Sequence, residues 1–313
     1  MTPGRRSVVR VGTRGSVLAR AQTGRVVAAL QALHPGACLE TVTVRTSGDR
    51  DRREVVGAFV KELQETLLSH EVDIAVHSMK DLPTERPPGL ALAAVPPRED
   101  PRDALLSPTG CLADLPPGSV VGTGSVRRTA QLRGLRADLS FKPLVGNVDT
   151  RLSKLESGDY RAIVVAWAGM LRLDYNVVDG ALKGRGLAVD LLDLDVMLPA
   201  PGQGALALEC RADDPIAQAL LTPMNDPASE TAVRAERAFL AALGGGCQTP
   251  VAAYATVQGS ACVLRGLAAA PDGSRAIRGE AAGAVDEPEA LGKELAARLL
   301  KQGAGDLLSG RHA

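Results

Sequence analysis

One short pattern occurs twice in this sequence and constrains the fold more than any other feature. The first copy is Val-Gly-Thr-Arg-Gly-Ser-Val at residues 11–17, and the second is Val-Gly-Thr-Gly-Ser-Val at residues 121–126. Each copy follows apolar residues typical of a buried strand and leads into a segment that begins a helix. After each copy a helix and then a strand recur, at residues 59–69 and 73–76 and again at residues 150–155 and 162–166. The repeat predicts two α/β lobes of similar topology.

Other segments predict how the lobes are completed and joined. The first lobe gains a strand at residues 8–11, a helix at residues 17–33 and a strand at residues 39–44. Proline-rich stretches at residues 95–101 and 198–202 predict two crossings, and a strand at residues 205–209 returns to the first lobe. Two crossings imply a hinge. Ligands of such lobes bind outside the carboxyl ends of the strands, which predicts an interlobe cleft.

The C-terminal third has a different pattern. The sequence predicts a helix at residues 229–243, strands near residues 251–257, 261–267 and 274–279, and a helix at residues 288–301. Strands followed by a helix, without strand–helix alternation, indicate a separate small α+β domain.

Recognition of anions must come from local arginine clusters, because the chain carries no net charge. Lys plus Arg and Asp plus Glu both number 36, so no overall field attracts nucleic acid or an anionic membrane. Aromatic residues are only 2%, too few for the stacking platforms that bind single strands. No secretion signal opens the chain and no apolar run approaches the length of a membrane span. We therefore expect a cytoplasmic protein with no nucleic-acid or membrane partner.

The cysteines predict neither a disulfide framework nor a metal site. Their number is odd and no CxxC or Cys/His spacing occurs. Widely spread single cysteines are typical of a reducing compartment. The five are Cys38, Cys111, Cys210, Cys247 and Cys262.

Arginines at the two glycine turns predict anion binding. A strand that enters a helix through glycines points free backbone N–H groups at one place, where the helix dipole favours an anion. Ser16 and Ser125 also serve as ordinary helix N-caps, which is the purely structural alternative. Arg14, Arg127 and Arg128 favour recognition of carboxylate or phosphate, because the planar guanidinium binds paired oxygens.

Three further groups have both a functional and a structural interpretation. Arg151, in another glycine turn, and Arg172, after a predicted strand, either line the cleft or lie on the surface. Lys80 and Asp81 follow a buried strand, where a carboxylate can act as an acid or base or stabilise a cation. The alternative for them is a helix cap or a simple ion pair, and a lone His77 is more often structural.

The Gly-Gly-Gly-Cys stretch at residues 244–247 is the most unusual segment. One glycine is enough to end the preceding helix, so three in a row indicate that something bulky approaches the chain. The negative end of that helix points toward Cys247 and does not favour a thiolate. This argues against a protease-type nucleophile and is compatible with a cysteine whose alkylated sulfur stays as a tether.

In order along the chain, these segments resemble the porphobilinogen deaminase (hydroxymethylbilane synthase) family. Two of the most telling are His-Ser-Met-Lys-Asp-Leu-Pro at residues 77–83 and Gly-Gly-Cys-Gln at residues 245–248. The others are residues 12–16, 59–63, 73–76, 98–104, 122–128, 146–152 and 201–205. The resemblance departs at Val145, where family members commonly carry an arginine, so that contact is missing or supplied elsewhere, for example by Lys142.

The resemblance implies an α/β fold of two periplasmic-binding-protein-like lobes with mixed sheets plus a small C-terminal α+β domain. Its domains are residues 1–98 with 197–216, residues 99–196, and residues 217–313. It implies a monomeric transferase that adds four porphobilinogen units head to tail to a dipyrromethane cofactor joined by a thioether to Cys247. Each addition releases ammonia, and water then frees hydroxymethylbilane.

The resemblance also assigns site residues, with Asp81 as the catalytic carboxylate. The expected cofactor ligands besides Cys247 are Lys80, Asp81, Thr123, Ser125, Arg127, Arg128 and Arg151. The expected substrate ligands are Arg14, Ser16, Arg172 and Gln203. The rival hypothesis is an anion-binding module without chemistry, which Cys247 and Asp81 disfavour. A cysteine-nucleophile hydrolase ranks last because no histidine motif accompanies Cys247.

Overall fold

The computed structural model describes residues 8–44, 58–246 and 248–309 of the 313-residue chain. Within these ranges the strands, in chain order, are β1 (Val9–Arg14), β2 (Leu39–Val44), β3 (Ile74–Ser78), β4 (Leu90–Ala94), β5 (Asp103–Ser107), β6 (Val120–Gly122), β7 (Ser140–Lys142), β8 (Ala162–Ala166), β9 (Val177–Val178), β10 (Ala181–Leu182), β11 (Ala188–Leu191), β12 (Leu206–Arg211), β13 (Val251–Gln258), β14 (Ala261–Ala269) and β15 (Ala276–Ala284).

The helices of the same ranges connect these strands. They are α1 (Val17–Leu33), α2 (Ala58–Leu68), α3 (Val126–Leu135), α4 (Val148–Glu156), α5 (Trp167–Arg172), α6 (Pro215–Leu221), α7 (Pro227–Ala242), α8 (Pro288–Lys301) and α9 (Ala304–Ser309). None of them combines the length and the apolar character that a membrane span requires.

The two larger sheets confirm the repeat predicted from the sequence. The first has the order β2-β1-β3-β12-β4, with β1 parallel to β2 and β3 and with β12 antiparallel to β3. The second has the order β7-β6-β8-β5-β11-β10-β9, with β6 parallel to β7 and β8 and with β5 antiparallel to β8. In each sheet three parallel strands are followed by one antiparallel strand that comes directly after a crossing. The predicted return of the strand after residue 204 to the first lobe is therefore confirmed.

Alternating side chains bury both faces of the second sheet. Leu106 and Ile163 lie in one apolar cluster, whereas their neighbours Leu105 and Val164 lie in another. Successive residues of a strand point to opposite faces, so both faces of β5 and β8 pack against other elements. This explains why these strands are continuous apolar runs and why polar chemistry is confined to their ends.

The contacts of the chain group it into two compact units. One contains residues 1–98 and 205–230, and the other contains residues 99–204 and 231–313. The second unit therefore includes both the seven-stranded sheet and the antiparallel sheet β13-β14-β15. The division into three domains with boundaries at 98, 196 and 216 remains a prediction.

The predicted C-terminal α+β pattern is confirmed, and its packing on α3 explains the grouping of the second unit. Ala130 of α3 and Leu198 lie in one buried cluster with Ala252, Leu267 and Ala269 of the C-terminal sheet. A Cβ added to Gly273 would lie 2.7 Å from the Ala130 carbonyl oxygen, so the turn before β15 needs glycine there. Small residues thus allow the sheet and α3 to approach closely.

Several predicted elements have different ends in the structure. Helices α1 and α8 match the predicted bounds, but β1 continues to Arg14, because its pairing with β2 extends through Thr13 and Arg14. The sequence analysis did not predict β4 or the short antiparallel strands β9 to β11. Strands β9 to β11 have only two to four residues, nearly all of them exposed or half-exposed, and carry too little apolar periodicity to be recognised.

Two helical glycines provide a matched test of the packing. Gly24 in α1 has open space around its Cβ position, whereas a Cβ on Gly292 in α8 would lie 2.4 Å from the Ala235 carbonyl oxygen of α7. We expect Gly24→Ala to stabilise the protein by about 0.5–1 kcal/mol through lower backbone entropy. Gly292→Ala should destabilise it by about 1–3 kcal/mol through overpacking. Urea unfolding midpoints check both, and a Gly292→Ala protein as stable as wild type would contradict the packing of α7 and α8.

Candidate active site

The first unit presents one of the two repeated turns. Arg14 is the last residue of β1 and is half-buried. Ser16 is the N-cap of α1, and its hydroxyl accepts a hydrogen bond from the Ala19 N–H at 3.2 Å. The structural role foreseen for Ser16 is thus present, and the backbone N–H groups of the first helical turn lie beside the arginine.

Asp81 and Lys80 lie in a single 3-10 turn at the carboxyl end of β3. The turn spans Met79–Asp81, and Met79 is fully buried while Lys80 and Asp81 are half-exposed. The Met79 N–H donates to the Ala205 carbonyl oxygen at 3.0 Å, which fixes the start of the turn. Within the described ranges the Asp81 carboxylate takes part in no ion pair. It is therefore a half-exposed carboxylate in a turn whose first residue is fixed.

The second unit presents the other repeated turn. Ser125 is the N-cap of α3 and accepts from the Arg128 N–H at 3.4 Å. The hydroxyl of buried Thr123 accepts from the Ser125 N–H at 3.2 Å. Both hydroxyls therefore shape the turn, as the N-cap alternative predicted.

Arg127 and Arg128 are not exposed at this turn, because both bind the buried carboxylate of Asp103. Arg127 Nη1 donates to Asp103 Oδ2 at 2.8 Å, and Arg128 donates to Oδ1 from Nε at 3.0 Å and from Nη2 at 2.7 Å. The two guanidinium groups also donate to the carbonyl oxygens of Leu198 and Val164. Asp103 is 0% exposed, and the arginines are 4% and 5% exposed.

The charge of Asp103 is stabilised by its partners. Burial alone would raise the pKa of this carboxyl, but the charges and hydrogen bonds of Arg127 and Arg128 hold it far below its ordinary value. Gln203 adds a fourth donor group, with Nε2 at 2.9 Å from Asp103 Oδ1. We call Asp103, Arg127, Arg128 and Gln203 the Asp103 cluster.

One buried nitrogen of the cluster is unsatisfied. Arg127 Nε is buried and has no hydrogen-bond partner among the described residues. A buried N–H without an acceptor costs free energy, and a carboxylate oxygen would satisfy it. Because Arg127 Nε is itself buried, an acceptor can reach it only if neighbouring side chains move.

Gln203 and Arg172 are also buried, and both donate hydrogen bonds to other parts of the protein. Gln203 Nε2 donates to the Pro101 carbonyl oxygen at 2.7 Å as well as to Asp103. Arg172, at the end of α5, donates from Nη2 to the Gly204 carbonyl oxygen at 2.6 Å. Both side chains hold the segment of the second crossing, and their contact with substrate remains a prediction.

Arg151 is the most accessible arginine predicted for the second unit. It lies in the first turn of α4, is half-buried, and donates from Nε to the Gly146 carbonyl oxygen at 2.7 Å. Val145 before this turn is exposed, and Lys154 Nζ lies 3.4 Å from its carbonyl oxygen. Lys154 thus brings a cation to the turn where Lys142 was the expected substitute.

The three glycines before Cys247 have three different environments. Gly244 ends the helix with φ +65°, a conformation that favours glycine, and a Cβ on Gly245 would lie 2.7 Å from Leu240 Cδ1. Gly246 has open space around it, and its N–H and carbonyl both bond the Thr249 hydroxyl. Cys247 itself lies outside the described residues. Gly246 is exposed, and the approach of something bulky to this segment remains a prediction.

The sequence analysis missed Asp103 as a site residue. It opens the buried strand β5, and an acidic residue before a continuous apolar run is the signal that could have identified it. A carboxylate at the buried end of a strand needs cationic partners, and the Arg-Arg pair of the second turn is the obvious source.

Comparison with known proteins identifies close relatives. The family model for "Porphobilinogen deaminase, dipyromethane cofactor binding domain" matches residues 9–219, and that for its C-terminal domain matches residues 230–301. The porphobilinogen deaminase of Thermus thermophilus is 50% identical over 96% of this chain and 98% of that protein. Those of Acidothermus cellulolyticus and Deinococcus radiodurans are 48% and 45% identical, also over 96% of this chain, and over 91% and 97% of those proteins.

Several solved structures were also matched at low similarity. The BvgS VFT2 domain of Bordetella pertussis has a TM-score of 0.42 at 20% identity, covering 69% of this chain and 85% of that one. The BenM effector-binding domain with benzoate has a TM-score of 0.39 at 14% identity, covering 68% and 86%.

Asp103→Asn tests the cluster. We expect it to lower stability by about 3–5 kcal/mol at neutral pH, because two buried arginines lose their counter-charge. The pKa of Asp103 in the folded protein lies below its value in the unfolded chain, which is about 3.9. Its contribution to the free energy of unfolding is therefore complete above the unfolded value and is lost only as the pH falls toward the folded pKa. Urea midpoints of wild type and variant should therefore differ by a constant amount from pH 8 to about pH 5 and converge only in stronger acid.

Glu156→Gln is the matched control for this prediction. It removes a carboxylate paired with Arg185 at 2.8 Å, but its side chain is 38% exposed. Exposed pairs contribute little, so its midpoint should match wild type. Equal midpoints for Asp103→Asn and Glu156→Gln would contradict the importance of the cluster.

Proposed function

Since this chain belongs to the porphobilinogen deaminase family, we propose that its two repeated turns and Asp81 carry out the condensation of porphobilinogen. The enzyme joins four porphobilinogen units head to tail on a dipyrromethane cofactor. Each addition releases ammonia, and hydrolysis then frees hydroxymethylbilane for tetrapyrrole synthesis. The observation that carries the residue assignment is the position of Asp81, a carboxylate without an ion pair among the described residues, in a turn fixed at its buried end.

Asp81 stabilises the positive charge that develops during condensation. Loss of the amine from porphobilinogen leaves an electron-poor azafulvene, and bond formation puts positive charge on pyrrole nitrogen. A carboxylate that accepts the pyrrole N–H stabilises this charge and relays the proton removed from carbon. Lys80 beside it supplies a cation for the substrate carboxylates.

The arginine-bearing turns bind the acidic side chains of the substrate and product. Every porphobilinogen unit carries an acetate and a propionate, so negative charge accumulates as the chain grows. Arg14 and Ser16 at one turn, and Arg151 and Arg127 Nε in the second unit, offer donors that are compatible with carboxylates. We propose Arg172 and Gln203 as further substrate ligands when the crossing segment moves.

The residues present also fit the dipyrromethane cofactor. A buried Arg127 Nε without an acceptor and the open space at Gly246 are features that an acidic, covalently anchored group would use. We propose that Cys247 holds it through a thioether and that Lys80, Asp81, Thr123, Ser125, Arg127, Arg128 and Arg151 bind it. When bound, the cofactor supplies the pyrrole carbon to which the first substrate unit is joined.

The state of the enzyme in the cell is also a proposal. We infer a monomer that works in the cytoplasm, in line with free cysteines at positions 38, 111, 210 and 262.

Intact mass tests the anchor. We expect purified protein to exceed its sequence mass by two pyrrole units, and Cys247→Ser to lose both this excess and activity. Cys38→Ser is the control, because Cys38 is an exposed free cysteine that should leave mass and turnover unchanged. An active protein with the bare sequence mass would refute the cofactor attachment.

Asp81→Ala tests the catalytic carboxylate. Turnover, measured as ammonia released per minute, should fall by at least about 10²-fold, because the developing charge and proton lose their partner. The urea midpoint should stay near that of wild type, since Asp81 is half-exposed. Glu85→Ala removes an exposed carboxylate four residues away and should keep full turnover. Near-normal ammonia release by Asp81→Ala would remove Asp81 from the mechanism.

A further inference from the structure

A second buried carboxylate lies behind the turn that carries Asp81. Glu209 is in β12, which lies between β3 and β4 in the first sheet, and only 2% of its side chain is exposed. A buried carboxylate is costly unless charges and hydrogen bonds compensate it. The Glu209 carboxylate is not one of the proposed ligands of substrate or cofactor.

Side chains from three other segments converge on Glu209. Gln64 of α2 donates from Nε2 to Oε2 at 2.9 Å, and His77 Nε2 of β3 lies 3.1 Å from the same oxygen. Arg86 Nε lies 3.7 Å from Oε1. Burial would raise the pKa of the Glu209 carboxyl, but His77, Gln64 and Arg86 lower it below its ordinary value, so the group is a carboxylate.

His77 and Glu209 touch inside the sheet. Nε2 of His77 is buried, lies 3.1 Å from Glu209 Oε2 and makes no hydrogen bond of full geometry among the described residues. Only 3% of the His77 side chain is exposed. The end of β3 is therefore in direct side-chain contact with β12 at this position.

Each of the three consecutive residues before Lys80 and Asp81 is held by a contact from another part of the first unit. His77 contacts Glu209 of β12, the Ser78 hydroxyl exchanges hydrogen bonds with Gln22 of α1 at 3.1 and 3.3 Å, and the Met79 N–H donates to Ala205. His77 and Ser78 point to opposite faces of the sheet, so the strand end is clamped from both sides. The direction in which the 3-10 turn leaves β3 is thereby set.

We propose that Glu209 and His77 form a positioning pair that acts through the turn carrying Asp81. The proposal rests on the catalytic role of Asp81 proposed above. Apolar residues of similar volume would stabilise the interior as well or better, so a stabilising role alone does not explain the pair. Catalytic groups must be held to within about 0.5 Å, and an error of about 1 Å can cost about 10²-fold in rate.

His77 variants test the pair while leaving the Glu209 carboxylate its contacts with Gln64 and Arg86. His77→Leu removes the polar contact at similar volume, and we expect kcat to fall about 10- to 100-fold while KM for porphobilinogen changes less than about 3-fold. His77→Gln keeps an N–H near the position of Nε2 and should recover most of the kcat. Glu209→Gln should reproduce the kcat loss of His77→Leu, and the double variant should be no slower than His77→Leu because both changes break one contact.

Asp214→Asn is the matched control for a purely structural effect. Asp214 is a buried carboxylate of the same unit, paired with Arg211 at 2.8 Å and capping α6. Its variant should lower the urea midpoint and leave kcat within about 2-fold of wild type. Normal kcat in both His77→Leu and Glu209→Gln would overturn the proposal, as would kcat losses that simply follow lost stability and appear equally in Asp214→Asn.

Asp81→Ala, assayed in parallel, separates this proposal from the one on which it rests. If Asp81→Ala is inactive and the His77 and Glu209 variants are normal, only the positioning pair fails. If Asp81→Ala itself turns over normally, the assignment of Asp81 fails first. If Glu209→Gln does not fold, the two His77 variants still test the proposal. A normal kcat in His77→Leu, or a kcat in His77→Gln as low as in His77→Leu, contradicts the positioning pair.

Discussion

The bond between Asp103 and two arginines is the interaction on which the second unit depends. It joins the start of β5, the first turn of α3 and the second crossing, because Arg127, Arg128 and Gln203 all donate to one carboxylate. Breaking a buried pair of this kind leaves an uncompensated charge and costs about 3–5 kcal/mol. The repeated glycine turn therefore has a fixed position relative to the sheet before any ligand binds.

This arrangement changes how the arginines of the turn act on a ligand. In the sequence, Arg127 and Arg128 look like two free anion receptors at a helix start. In the structure the two guanidinium groups donate five internal hydrogen bonds, and the buried Nε of Arg127 has no partner among the described residues. An arginine that Asp103 already holds in place loses little conformational entropy when a carboxylate binds to it. Such an arginine can therefore bind a carboxylate well even with few N–H groups available.

The sequence predicted the fold better than the site, for a physical reason. The spacing of apolar residues and the positions of turn residues locate elements such as α1 and α8, because that spacing reflects which face of the element is buried. Whether an arginine is a ligand or a structural ion pair depends on contacts far apart in the chain, such as Arg128 with Asp103 or Arg172 with Gly204. Periodicity carries no information about such pairs, and so Asp103 was missed while Gln203 and Arg172 were assigned only to substrate.

The repeat extends to the strand that carries a buried acid. In each large sheet the antiparallel strand next to the third parallel strand supplies one, Asp103 from β5 beside β8 and Glu209 from β12 beside β3. Asp103 fixes arginines at a helix start, whereas Glu209 contacts His77 just before the Asp81 turn. The two acids differ in register, since Asp103 opens β5 opposite the last residue of β8, whereas Glu209 lies inside β12 opposite Ala75 of β3. Because both acids are buried, each can act on a ligand only through the side chains that it holds in place.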